Sequence, residues 1–95
     1  MTAYVIFLVD KIRDPEKLVA YRQLVRQTLK GRDATVRVLH GRHEMVEGAA
    51  TVDIGMLEFP TFEEAENWYR SPAYQEVAAL RFAGADSRAV IVQGV

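Results

Sequence analysis

Leu57–Tyr74, LEFPTFEEAENWYRSPAY, carries the reading that decides the fold. Its apolar beginning closes a strand that runs back to Val52. Thr61 then opens a helix, and Glu64 stands three residues later, the T-x-x-E spacing of a capping box. Glu63, Glu64 and Glu66 lie near the positive end of that helix dipole. Ser71-Pro72 interrupts the helix, because a residue before proline avoids the α region. Ser71 can cap a fresh start, with Pro72 in the first helical position where its missing N–H costs nothing. Tyr74, Val77, Ala78 and Arg81 share one face of the restarted helix, which ends at Gly84.

Working outward, Ala3–Val9 (AYVIFLV) is a β-branched and aromatic run that reads as a strand. Asp14-Pro15 starts a helix carrying Leu18, Tyr21, Val25 and Thr28 or Leu29 on one stripe, with Gly31 as its terminator. Thr35–Leu39 reads as a second strand that continues past Gly41 into Glu44–Glu47. Gly48-Ala49-Ala50 is a turn, Val52–Phe59 a third strand weakened at Gly55, and Ser87–Gln93 the last strand. The order β-α-β-β-α-β is the split βαβ, ferredoxin-like arrangement of an α+β domain, with a four-stranded antiparallel sheet and both helices on one face.

The 95 residues are enough for one domain, 1–95. The net charge of −1 and the absence of any long Lys/Arg run give nucleic acid no support. With no cysteine, disulfides, thiolate nucleophiles and Cys-based metal sites are excluded. The opening apolar run is too short for a signal segment or a bilayer span, so the cytoplasm is the expected location, with no membrane partner. There is no glycine-rich phosphate loop and no nucleophile beside a base, and no cofactor is expected.

An antiparallel sheet with one wet face alternates apolar and polar residues. The first strand does not: Tyr4, Ile6 and Leu8 lie on one face and Val5, Phe7 and Val9 on the other. Two helices cover one face only. The other, roughly 350 Å² in projection, is larger than a monomer ordinarily leaves open. Burying it against a second copy is worth roughly 9 kcal/mol per chain before association entropy is subtracted. A homodimer through this face is therefore expected, and sheet–helix clefts in such a dimer are places for a small ligand.

Five residues are ligand-binding candidates. Glu58 shares its face with Ile54 and Met56, so it is either a proton-transfer group or a strand-end carboxylate paired with an arginine. His40 can line a pocket. His40 and His43, at spacing three in an extended segment, point to opposite faces and do not form a metal pair. Trp68 and Tyr74 can stack on a flat ligand or simply pack the core. Arg81, seven residues after Tyr74, can hold an anion, pair with Glu58 or reach solvent.

These segments together, AYVIF, Asp14-Pro15 with Tyr21, LEFPTFEEAENWYRSPAYQ and the closing IVQGV, resemble the family of domain of unknown function 1330, in the dimeric α+β barrel superfamily. The resemblance implies a ferredoxin-like dimer and no assigned reaction. Here Gly31-Arg32-Asp33 and His40-Gly41 replace the family's usual Gly-Gly and Arg-Gly, and Ala49-Ala50 stands where a Trp is frequent, which implies a different pocket. Wider relatives include cofactor-free monooxygenases, lactone isomerases and haem-handling enzymes; no histidine lies on either predicted helix to ligate a haem. Three functions stay open: a small-molecule binder, a cofactor-independent enzyme using Glu58 or His40, and a structural or regulatory dimerisation module.

Overall fold

A computed structural model describes all residues, 1–95. The strands are β1 (Ala3–Ile12), β2 (Thr35–Leu39), β3 (Asp53–Phe59) and β4 (Ala85–Gln93). The helices are α1 (Pro15–Leu24), extended by a 3-10 turn over Val25–Leu29, then α2 (Phe62–Tyr69) and α3 (Pro72–Gly84). The antiparallel sheet has the order β2-β3-β1-β4, so the first and third strands are central. This is the ferredoxin-like α+β topology that the sequence pattern predicts.

The caps do what their residue types dictate. Asp14 accepts from Lys17 N–H at 3.4 Å, Thr61 from Glu64 N–H at 3.1 Å and Ser71 from Tyr74 N–H at 3.2 Å. The box at Thr61 is half formed, because Glu64 stays exposed and does not reach back. Ser71 also donates to Trp68 O at 2.7 Å, so one hydroxyl ends α2 and begins α3. Gly31, at φ +77°, follows the 3-10 turn in the left-handed region that suits glycine.

Three boundaries differ from expectation. β1 runs on to Ile12 and β4 begins at Ala85, because the two pair beyond a bulge between Val9 and Lys11. No strand forms over Glu44–Glu47; residues 40–52 are a loop. His40 sits at φ +54°, which turns the chain out of β2 and stops the ladder.

Helices and sheet meet over one face of β1, where Ala3, Val5, Phe7 and Val9 are buried. Trp68, Tyr74 and Phe59 are the largest fully buried side chains. Trp68 stands edge-on to Phe7 at 6.3 Å, tilted on Phe59 at 5.6 Å and close on Tyr74 at 4.1 Å between ring centres. The other face carries Tyr4, Ile6 and Leu8 of β1 and Ile54 and Met56 of β3, all half-buried, and Val90 and Val92 of β4, both exposed; no helix packs on it. Two ion pairs flank this apolar area: Arg37–Glu58 at 3.1 Å and Arg88–Asp10 at 2.8 Å.

α1 and α3 touch at Gly84. A Cβ there would lie 3.0 Å from Leu18 N and 3.1 Å from Asp14 O, both backbone atoms of the start of α1. The Gly84 carbonyl also accepts from Arg13 and Asp14 N–H at 2.9 and 3.0 Å. Gly84→Ala should therefore destabilise the domain by about 1–3 kcal/mol through overpacking, read as a lowered urea midpoint at unchanged m-value; an unchanged midpoint would show that the helices separate freely.

Candidate functional site

The helix-side row of β3 is Asp53, Gly55, Leu57 and Phe59. Gly55 faces Phe7 across the ladder and supplies no side chain. The 3-10 turn and α1 bridge over this gap without filling it, leaving a cavity of about 170 Å³ between them and the sheet. Its walls are mostly apolar: Phe7, Val9 and Leu57 below, Leu18, Val25 and Leu29 above, and Val36, Val38 and Leu39 along β2. It opens to solvent past Val36 and Leu39, both exposed, and its volume suits a molecule about the size of one aromatic ring.

Asp53, half-hidden at one end, is shared by two partners. Arg22 Nη2 stands 2.9 Å and His40 Nδ1 2.5 Å from the same Oδ2. The second oxygen accepts from Ile54 N–H at 3.0 Å. Arg26 also lines the cavity and makes no ion pair.

Arg81 lines the cavity from α3, only 2 % exposed. Its Nη1 donates to Ser87 Oγ at 2.7 Å and its Nη2 to Tyr74 Oη at 3.3 Å. The Tyr74 and Tyr21 hydroxyls are 2.9 Å apart. Burial pushes both phenols up, Tyr74 strongly, so both stay neutral at physiological pH. No carboxylate reaches Arg81, which keeps its charge.

Of the five candidates, the fold brings His40 and Arg81 to this cavity. Tyr74 lies one layer behind, bonded to Tyr21 and Arg81. Trp68 is closed in the core, its Nε1–H donating to Thr28 Oγ1 at 3.0 Å. Glu58 is on the opposite side of the sheet, because it alternates with Leu57 and pairs across from Tyr4; its partner is Arg37 and not Arg81. Asp53 and Arg22 are missed by sequence reasoning, although an Asp in the same row as Gly55 and Leu57 is the available signal. No three His, Asp or Glu side chains gather in a metal-binding arrangement.

The sequence matches the family described as Domain of unknown function (DUF1330) over residues 2–95, and the chain belongs to that family. No curated protein matches it. Among solved structures it is similar to RPA0582, a protein of unknown function from Rhodopseudomonas palustris, with 20 % identity and TM-score 0.75 over 99 % of this chain and 82 % of that one. It is also similar to a dimeric ferredoxin-like protein of unknown function from Jannaschia sp. CCS1, with 11 % identity and TM-score 0.62 over 99 % and 100 %. SnoaB, a cofactor-independent oxygenase from Streptomyces nogalater, shares 7 % identity at TM-score 0.60 over 99 % and 92 %. These likenesses are of fold. No helix of the chain is long and apolar enough to cross a membrane.

The loop bearing His40 is tethered by His43. One ring nitrogen is 2.8 Å from Thr51 O and the other 3.3 Å from Gly41 O. Carbonyls only accept, so only the protonated ring donates to both. The Thr51 carbonyl first, then that of Gly41, raises the His43 pKa above its ordinary 6.5. Both bonds are thus made below that ordinary value, and one of the two is lost as pH rises through the raised one, because the neutral ring keeps a single N–H. Hydrogen exchange across residues 40–52, corrected for intrinsic rate, should quicken over that rise in the wild type and show no such step in His43→Gln; identical profiles would acquit the ring.

Proposed function

We propose that this protein binds a small organic molecule in the cavity beneath the 3-10 turn, and does so as a homodimer joined through the open face of its sheet. The observation that carries the binding reading is the gap at Gly55. A strand otherwise rich in large apolar residues gives up a side chain where the helical layer cannot close the space. A half-open, mostly apolar recess with a few polar groups is the usual form of a small-molecule site.

The dimer reading rests on the uncovered apolar area around Ile6, Met56 and Val90, with charge pairs only at its margins. That is the layout of an interface with an apolar centre and polar rim. The ferredoxin-like protein from Jannaschia is described as dimeric, which supports the reading.

One observation favours a second reading, a cofactor-independent enzyme. The carboxylate of Asp53 on His40 Nδ1 favours the tautomer whose Nε2 can accept a proton, and His40 lines the cavity. His40 also holds a left-handed backbone, uncommon for a non-glycine residue. Turnover of a bound ligand lost in His40→Gln, with binding retained, would select this reading.

Gly55→Val tests the cavity. The Cβ position is open, with Val38 O nearest at 3.8 Å, so the fold should tolerate a strand-favouring residue. Ligand retained in native mass spectrometry of the wild type should disappear at equal or higher thermal stability; full retention would overturn the reading. For the dimer, light scattering of the wild type should give twice 10.7 kDa, and Ile6→Asp should bring the mass to that of one chain, because a carboxylate buried there has no partner. A wild-type monomer at micromolar concentration would refute the assembly.

A further inference from the structure

Arg81 is a buried cation without a counter-ion. Guanidinium groups taken out of water are ordinarily paired with a carboxylate, because desolvation of the charge is otherwise uncompensated. Here Nη1 and Nη2 have acceptors, but the Nε–H has none; it is the only buried side-chain nitrogen or oxygen in the protein without a partner. The rings of Phe7 and Phe82, 5.0 and 4.9 Å from the guanidinium carbon, and Tyr21 at 5.8 Å, soften the charge. A ring face does not replace an acceptor in the guanidinium plane.

The tyrosines do not supply that acceptor either. Tyr74 Oη already receives Arg81 Nη2–H, and the two hydroxyls share a single hydrogen bond between them. Whichever hydroxyl donates, the other keeps a proton with no acceptor on the protein. Behind the inner end of the cavity there is therefore a surplus of donors and a positive charge.

The charge on the rest of the lining points the same way. Arg22, Arg26 and Arg81 face the cavity against one carboxylate, Asp53, and that carboxylate is engaged by Arg22 and His40 at the far end. The chain as a whole is at −1, so the positive cavity is a local arrangement. Between these ends the wall is apolar.

We infer that the cavity takes a small carboxylic acid with an apolar body, its carboxylate lying toward the Arg81 end and its hydrocarbon part along Val25, Leu29 and Val36. This rests on the binding reading above and names its ligand class. The Tyr74 hydroxyl, itself bonded to Tyr21, orients the guanidinium.

The test is paired calorimetric titration of the intact protein with benzoate against benzamide and hexanoate against hexanamide. Each acid should bind at least about tenfold more tightly than its amide, as expected where a carboxylate meets a surplus of arginine charge. In Arg81→Met the preference should vanish while the amide affinity stays, and Arg81→Lys should restore part of it. Should Arg81→Met fail to fold, judged by circular dichroism, the wild-type Arg81 Nε–H resonance decides: it should move on adding benzoate and stay on adding benzamide. Equal affinity for acid and amide, both abolished by Gly55→Val, would overturn the carboxylate assignment and leave the cavity reading standing. No binding by either member of both pairs at millimolar concentration overturns the assignment as well; if the wild type also retains no ligand in native mass spectrometry, the cavity reading falls with it.

Discussion

The burial of Trp68 is the constraint on which the rest of the molecule depends. Its ring is fully enclosed, meeting Phe7 of the central strand, Phe59 at the end of β3 and Tyr74 of α3, while its N–H reaches Thr28 in the 3-10 turn. A buried indole needs both an apolar shell and a partner for its donor, and here the two come from different parts of the chain. Thr28 in turn donates to Val25 O at 2.6 Å, which helps hold the end of the first helical segment in its tighter winding. One side chain thus fixes how far the 3-10 turn stands from the sheet. The space beneath that turn is a by-product of this fixed height and of the side chain that Gly55 lacks.

Much of this was legible in the residues. Asp14-Pro15, Thr61 and Ser71-Pro72 announce three helix starts, and each hydroxyl or carboxylate accepts the backbone bond its position demands. Apolar residues on both faces of β1 foretold a sheet with one covered and one bare side. The strand expected over Glu44–Glu47 does not form, because a left-handed His40 is a backbone choice that side-chain patterning does not record. The extra pairing of β1 with β4 beyond the bulge is equally a matter of register.

The site was less legible than the fold. Arg81 and His40 were identifiable as polar residues in awkward places, and both reach the cavity. Glu58 drew attention for the same reason, but strand alternation sends it to the bare side, where Arg37 meets it. Asp53 looked like an ordinary residue at the start of a strand. Its importance comes from Arg22 and His40, far apart in sequence, arriving at one oxygen, a convergence that only the assembled tertiary structure reveals. A single sequence displays residue types and spacing; it does not display which donors are left without acceptors.

The position of β4 has a consequence for the chain's behaviour in crowded solution. It is an outermost strand of nine residues, without proline, and its second half, Ala89–Gln93, carries no charge. Its outer line of amide and carbonyl groups is a ready template for another extended chain. Charged gatekeepers, Asp86 and Arg88, guard only the first half. On the opposite border β2 is short, irregular and bears Arg37, which makes it a poor template. Any tendency of this protein to form fibrils is therefore polar, beginning at the C-terminal border of the sheet, and a lysine at the exposed position 93 is the economical way to suppress it.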